Sequence, residues 1–274
     1  MLRLMLPIGW VLAFCPLMVV QAQEKGKEES ELEKLAKDLR HKDVKVRLKA
    51  VKSLAEKGED AAPVAGPLCD ALMDRSPQVA VAALEALEKV RPDLYKHVST
   101  LVLDEDPNKQ LKAIRELGLM GEKANPVSNL LLARLRTVLA TRFNFNDGLS
   151  AVGLSPVERA YFTAIRQIKP DDVETIKLFK VMAGVTNRDS YARLEAIRFL
   201  NDWAGDDAAR RKELLPLLKA GLDDPVCQVE CIKISGSYGS LAKDFAPLLR
   251  KLKLSSVETI RKAASEALDK IDNP

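Results

Sequence analysis

The sequence has few of the residues on which most enzymes and metal sites depend. Its 274 residues include only 2 histidines, His41 and His97, and 4 cysteines, and these are spread along the chain. Zinc is bound mainly by Cys and His, and His is the commonest general base, so this scarcity argues against zinc and His-based chemistry. The chain has no Gly-rich phosphate loop, no Gly-x-Ser-x-Gly elbow and no His-Glu-x-x-His motif. We therefore expect a non-enzymatic protein with no catalytic residues, no cofactor and no bound metal.

An excess of one charge sign is also missing. Lys and Arg number 43 against 39 Asp and Glu, which gives a formal net charge of +4. Dedicated nucleic-acid binders carry a larger and more clustered basic excess. Because 47% of the residues are hydrophobic and only 5% are aromatic, the composition is that of a folded protein with an aliphatic core. The sequence therefore predicts no nucleic-acid partner.

Long hydrophobic runs are confined to the first segment, where Leu4 to Val20 contains no charged residue. A basic start, this apolar stretch and the small residue Ala22 form the pattern of a secretory signal. We predict a signal peptide over residues 1–22, a flexible charged lead-in over 23–28 and an exported protein, periplasmic or secreted, with no membrane span after cleavage.

Two alternatives remain for this segment. The run could be retained as an anchor, although Pro7 and Pro16 interrupt a stretch barely long enough to cross a bilayer. Cys15 could carry a lipid, but Phe14 stands where a bacterial lipobox has a small residue.

A helical pattern recurs through the rest of the chain. A residue that is usually apolar is followed four positions later by a small one, and four later again by Leu or another core residue. The copies start at Val46, Val79, Lys109, Ala192, Cys227 and Ile260, and a weaker copy with Tyr161 in the small position starts at Val157. Successive starts lie 30 to 35 residues apart, except for one step of 48. A period of this size indicates stacked supersecondary units.

Helix-start signals accompany four of the copies. Each places a capping residue before a proline that suits the first helical position. These signals are Ser76-Pro77, Asp106-Pro107, Ser155-Pro156 and Asp224-Pro225. The pairs Ser155 with Glu158 and Ser255 with Glu258 have capping-box spacing. Amphipathic stretches lie between the copies, so each unit is predicted to be two antiparallel helices, A and then B.

The stretches Asp43 to Ala50 and Ile260 to Leu268 resemble the B helix of the HEAT repeat family, in particular its short bacterial, phycobilisome-lyase-like form. The resemblance covers about residues 29–271. It implies an all-α fold, a right-handed α-solenoid of about seven antiparallel helix pairs that forms one domain over residues 29–274. The family's motif residues are structural, so the resemblance says little about function.

The family's inter-repeat ladder of Asp and Arg is present in part. Asp43 with Arg47 and Asp189 with Arg193 keep both members, whereas Asp106 and Asp224 are followed by Gln110 and Gln228. We therefore expect an incomplete ladder.

One side of each B helix is expected to face water. Counted from the start of each copy, offsets +3, +6 and +10 fall on the same side of the helix, and we call these positions the strip. The strip cations that form the candidate partner-binding surface are Lys49, Lys52, Lys112, Arg115, Arg198 and Lys233. The alternative is a solvated face stabilised by ion pairs. Offsets +2 and +5, which include Val81 and Ile114, are predicted to contact the adjacent repeat.

A second candidate surface is the insertion that produces the step of 48 residues, predicted as a loop over residues 141–153. It carries Phe143 and Phe145, and long loops that keep aromatic residues often recognise partners. Its Asn and Asp residues lack the register of a calcium loop. A plain surface loop is the alternative.

Two further features are predicted to be structural. Cys69, Cys227 and Cys231 are expected to be buried as small hydrophobic residues. Trp203 is expected to pack at a repeat junction.

Together these observations predict an exported, monomeric scaffold that binds a protein or peptide partner on the concave face of the solenoid. The alternatives are a HEAT-like enzyme of the lyase or glycosylase type and a purely structural component of the cell envelope.

Overall fold

The computed structural model of the protein describes residues 31–144, 153–168, 171, 173–184 and 189–273, with residues 141–144 as backbone only. The predicted signal peptide, the lead-in and Phe145 lie outside the described residues. Every regular element in the described part is a helix, and no strand occurs there. The all-α prediction is confirmed.

The α-helices are numbered in chain order. They are α1 (31–38), α2 (Val44–Lys57), α3 (Ala65–Asp70), α4 (Pro77–Val90), α5 (Pro92–Leu103), α6 (Pro107–Leu119), α7 (Ser128–Asn144), α8 (Pro156–Ile168), α9 (Val173–Ala183), α10 (Ser190–Ala204), α11 (Ala208–Gly221), α12 (Gln228–Ser237), α13 (Ala246–Leu252) and α14 (Glu258–Asp272). Short 3-10 segments cover Gly58–Val64, Ala71–Met73, Gly121–Val127 and Gly239–Phe245. The seven copies of the repeating pattern coincide with the even-numbered helices.

Contacts among the helices form two compact units that divide between Arg91 and Pro92. In the first unit, α4 packs against both α2 and α3. In the second unit, α6 packs against α8, α8 against α10, α10 against α12, and α12 against α14. The odd-numbered helices of the second unit, α5 to α13, each pack against the even-numbered helix that follows.

The slots of the repeating pattern form the core. The small and Leu positions of the even-numbered helices are buried, for example Ala83 and Leu87 on α4 and Ala196 and Leu200 on α10. A fully buried leucine contributes about 1.5–3 kcal/mol through removal of its apolar surface from water. The predicted register of these helices is therefore correct at its core positions.

The contact positions at offsets +2 and +5 are only partly as predicted. Ile114 and Ile232 at offset +5 are buried, but Val81 at offset +2 is 59% exposed. The other apolar residues at offset +2, which are Leu48, Leu111, Leu194 and Val229, are half-buried, so offset +2 is less completely covered than offset +5.

Aromatic side chains fill the centre of the second unit. The rings of Phe179 on α9 and Phe199 on α10 stack with centroids 3.9 Å apart, and Phe162 on α8 meets Phe179 edge-on at 6.2 Å. These contacts join three consecutive helices through large side chains that leave little free surface.

Three of the four proline signals mark helix starts as predicted. The helices α4, α6 and α8 begin at Pro77, Pro107 and Pro156. The capping box of α8 is also present, because the Glu158 carboxylate accepts from the Ser155 amide at 2.6 Å and Ser155 Oγ accepts from the Glu158 amide at 3.2 Å.

The fourth signal and the second capping box are wrong. Helix α12 begins at Gln228 rather than at Pro225, and residues 225–227 form a turn in which the Val226 amide donates to the Asp224 carboxylate at 2.9 Å. Ser255 Oγ accepts from the Val257 amide at 3.2 Å instead of capping with Glu258.

The insertion begins later than predicted. Helix α7 runs from Ser128 to Asn144, so residues 141–144 are helical rather than part of a loop.

A polar residue in the first turn of a helix closes the loop that precedes the helix. In each case an Arg or Gln side chain donates to a backbone carbonyl five or six residues earlier in the chain, at 2.6 to 2.8 Å. These donors and acceptors are Arg47 and His41, Gln110 and Asp104, Arg159 and Leu154, Arg211 and Gly205, Gln228 and Leu222, and Arg261 and Ser255. Loop carbonyls are thus satisfied in the same way at six turns.

Two arginines that were expected in an inter-repeat ladder, Arg47 and Arg193, each bond a carboxylate of the next turn. Arg47 makes a bidentate pair with Asp74 of the next turn, with N–O distances of 2.6 and 2.8 Å, and Arg193 pairs with Asp224. The two side chains of the first pair are only 12% and 9% exposed. The hydrogen bonds from Arg47 hold the pKa of Asp74 below its usual value.

We predict that Ala113→Asp destabilises the protein by about 3–5 kcal/mol, because Ala113 is buried on α6 and a carboxylate there has no partner. Urea unfolding followed by circular dichroism measures the change. Lys112→Asp, at the exposed neighbouring position, is the control and should cost no more than about 1 kcal/mol. Equal unfolding midpoints for the two variants would show that the register is wrong.

We predict that Asp74→Asn lowers the free energy of unfolding by about 1–3 kcal/mol at neutral pH. The lowered pKa of Asp74 stabilises the folded state above the unfolded value of about 3.9, and this contribution is lost as the pH falls through the folded value. The difference between variant and wild type should therefore shrink in acid.

Glu31→Gln is the control for this measurement. Glu31 forms an exposed ion pair with Lys57 at 3.0 Å, so its loss should change stability by no more than about 0.5 kcal/mol. A difference for Asp74→Asn that stays constant between neutral and acid pH would contradict the assignment.

Candidate functional site

The strip positions are largely exposed. Lys49 and Lys52 lie on α2, Lys112 and Arg115 on α6, and Lys233 on α12, and all five side chains face water. Arg198 on α10 is half-buried. Of the aromatic candidates, Phe143 lies in α7 with only its backbone described, and Phe145 is outside the described residues.

A groove with a volume of about 470 Å³ lies between α6 and α8 in the second unit. Its lining residues are Arg115, Leu119, Pro156, Arg159, Ala160, Thr163, Ala164 and Gln167. Lys49, Lys52 and Lys233 do not line it.

Most residues that line the groove lie at the strip offsets of α6 and α8. Arg115 and Leu119 occupy offsets +6 and +10 of α6, and Ala160, Thr163 and Gln167 occupy offsets +3, +6 and +10 counted from Val157. Sequence analysis found Arg115 but missed the residues on α8. The same offsets applied to the weaker copy at Val157 would have found them.

Small residues allow the two helices to approach below the groove. A Cβ added to Gly118 of α6 would clash with the Gln167 side chain and lie only 2.9 Å from Ala164 Cα. Ala160 and Ala164 on α8 project only methyl groups, so space remains between the longer side chains of Arg115, Leu119 and Gln167. Leu119 is 72% exposed at the rim.

The charged lining of the groove is entirely basic. Arg115 and Arg159 contribute two guanidinium groups, and no carboxylate lines the groove. One nitrogen of Arg159 donates to the Leu154 carbonyl at 2.7 Å, which fixes the side chain at the groove entrance. Within the described part of the chain, no ion pair engages Arg115 or its neighbour Lys112.

Ion pairs cross-link the strip farther along. Arg166 on α8 bonds Asp202 on α10 at 2.7 Å and lies 3.9 Å from Glu195. Arg198 bonds Glu195 at 2.7 Å and Glu230 on α12 at 3.3 Å. Burial opposes the charge of Arg198, yet these carboxylates raise its pKa above the usual value. The strip residues Glu195, Arg198, Asp202 and Glu230 are therefore paired with one another or with Arg166 beside the strip, whereas Lys233 on α12 is exposed.

The three described cysteines are free and buried, as predicted. Burial raises the thiol pKa of Cys69 and of Cys227 to about 12, and it raises the pKa of Cys231 as well. A thiolate is the form that attacks substrates and binds metals, so these thiols are unreactive near neutral pH.

The histidines lie in separate surroundings. His41 is exposed, and its Nδ1 accepts from the Asp43 amide at 3.0 Å. His97 on α5 is half-buried, and burial lowers its pKa. Among the described residues, no three His, Cys, Asp or Glu side chains are grouped to hold a metal ion.

Trp203 packs at the junction of α9, α10 and α11. Its indole Nε1 donates to Asp171 at 2.6 Å, while Lys180 and Arg210 lie over the ring at 5.1 and 4.6 Å from its centroid. The expected role at a repeat junction is confirmed.

The depression beside Trp203 has a volume of about 620 Å³, and most of the charges around it are paired. Lys180 bonds Glu213, and Asp171 lies 3.3 Å from Arg210. These pairs distinguish it from the groove between α6 and α8, where Arg115 faces no carboxylate.

No helix in the described part of the chain is both long and apolar enough to cross a membrane. No protein-family model matches the chain, and no curated protein matches it at a significant level.

Proposed function

We propose that the protein is a non-enzymatic scaffold that binds a protein or peptide partner on the strip. We also propose that its helix pairs continue as a HEAT-like, right-handed α-solenoid of about seven pairs. The alternation of odd- and even-numbered helices, in which each odd-numbered helix of the second unit packs against the even-numbered helix that follows, supports this architecture. Solenoids of this kind present extended binding surfaces on one side of the stack.

The groove between α6 and α8 is the observation that carries the proposal. Five of its eight lining residues occupy strip offsets on two neighbouring even-numbered helices, which supports a binding site on the side of the helices that the pattern leaves exposed. Helices α6 and α8 form the walls of the groove. Ligand sites are usually concave and carry a few precisely placed polar groups.

The chemistry of the remaining residues favours a scaffold over an enzyme. The described thiols are buried in the protonated state. The carboxylates near the centre of the strip form ion pairs with Arg166 and Arg198. Groups held in this way stabilise the fold and are not available to transfer protons or attack a substrate.

Export is part of the proposal and rests on residues 1–22 alone. A charged start, a single apolar run and a small-residue cleavage site form the pattern of a secretory signal. A monomeric, exported scaffold would meet its partner in the periplasm or outside the cell.

Affinity capture with charge-reversed variants tests the scaffold. The test variant changes Lys52, Arg115 and Lys233 to Glu, and the control changes Lys177, Lys212 and Lys219, which are exposed on α9 and α11, to Glu. Both variants lose the same charge. We expect a partner captured by wild type to be retained by the control and lost by the strip variant, with equal circular dichroism for all three proteins.

A partner retained equally by both variants would exclude the strip. Turnover of a substrate that depends on Asp202 or Cys231 would contradict the non-enzymatic proposal.

Export is tested separately by the intact mass of the protein recovered from its native host. We expect the mature chain to begin at Gln23, because cleavage after Ala22 removes the apolar run. A full-length chain recovered from the membrane would favour the anchor, and a lipid adduct on Cys15 would favour a lipoprotein.

A further inference from the structure

We propose that the groove between α6 and α8 binds an acidic peptide segment that also carries an aliphatic side chain. This inference rests on the proposed function, because it assigns a ligand class to one part of the strip.

The first argument is the positive charge of the residues that line the groove. Arg115 and Arg159 line the groove, Lys112 lies one turn before Arg115 on α6, and the lining contains no carboxylate. Guanidinium groups bind carboxylates through charge-assisted hydrogen bonds that are stronger than neutral ones. A peptide rich in Glu or Asp supplies the charge that the groove lacks.

The second step is the difference between Arg115 and those arginines, among them Arg166 and Arg198 at the next two helix gaps, that carboxylates of the protein already bond. Arg47, Arg193, Arg166 and Arg198 each bond at least one carboxylate of the protein. Arg115 faces a groove instead, with no ion pair among the described residues. An incoming carboxylate therefore displaces water from Arg115, whereas at Arg198 it would compete with Glu195 and Glu230.

The third step is the apolar surface. Leu119, Pro156, Ala160 and Ala164 provide aliphatic contacts within the same groove, and Leu119 is 72% exposed. A volume of about 470 Å³ accommodates a few side chains. The geometry therefore suits a short segment with acidic residues at the arginines and one Leu-like side chain against Leu119.

The probe is a fluorescein-labelled peptide of alternating Glu and Leu, titrated with the full chain and followed by fluorescence anisotropy. Two peptides of the same length carry Gln or Lys in place of Glu, and a single-stranded oligonucleotide of equal charge is the fourth probe. We expect the Glu peptide to bind at least about tenfold more tightly than the other three. Its affinity should fall as salt concentration rises.

Two variants test whether the peptide binds in the groove. Arg115→Glu reverses the central charge, and Thr163→Trp fills the space without changing charge. Each should lower the affinity for the Glu peptide by at least about tenfold. Lys219→Glu on α11 should leave this affinity within about twofold of wild type. Circular dichroism and urea unfolding establish that all three variants fold.

The inference is overturned if folded Arg115→Glu and Thr163→Trp variants bind the Glu peptide as wild type does. It is also overturned if the oligonucleotide binds more tightly than the peptide, which would make the groove a nucleic-acid site. These outcomes are distinct from failure of the scaffold proposal. If a captured partner is lost by the strip variant but retained by Thr163→Trp, the scaffold proposal stands and the groove assignment fails.

Discussion

Two pairs of even-numbered helices in the second unit, α6 with α8 and α12 with α14, pack closely because a glycine stands where they cross. Gly118 faces Ala164 between α6 and α8, and Gly236 faces Ala267 between α12 and α14. A Cβ on either glycine would lie 2.9 or 2.7 Å from a neighbouring Cα atom, and backbone atoms cannot move away cheaply. The close crossing constrains the rotation of these helices, and that rotation decides which of their offsets reach water. The groove between α6 and α8 depends on the first of these contacts.

Charged residues then fall into groups with different roles. Loop-closing side chains such as Arg47 and Arg261 satisfy carbonyls at the turns, and the Arg193 to Asp224 pair joins consecutive turns. Arg166 beside the strip and Arg198 on it link α8 to α10 and α10 to α12, with each exposed pair contributing less than about 1 kcal/mol. What they add is mainly a defined arrangement of charge along the surface.

The sequence was sufficient for features that depend on local periodicity. Buried slots such as Ala83 and Leu87, the proline starts of α4, α6 and α8, and the burial of the cysteines followed from spacing and residue type. It was insufficient at the start of α12. Asp224-Pro225 has the residue types of a helix start, but residues 225–227 form a turn and the helix begins at Gln228, while the Asp224 carboxylate pairs with Arg193, which lies 31 residues away. The groove was missed because it belongs to two helices together, and only one of them carried a strong copy of the pattern.

A repetitive surface can bind a ligand at one position when the side chains between neighbouring helices differ along it. Between α8 and α10 and between α10 and α12, arginine and carboxylate side chains already satisfy each other across the gap. A ligand carboxylate gains little there, because each new bond replaces an existing one. Between α6 and α8, Gly118 permits a close crossing, short side chains leave a groove, and Arg115 contacts solvent. An acidic ligand there exchanges only water for a charged hydrogen bond, so the same repeated architecture favours this gap over the next two.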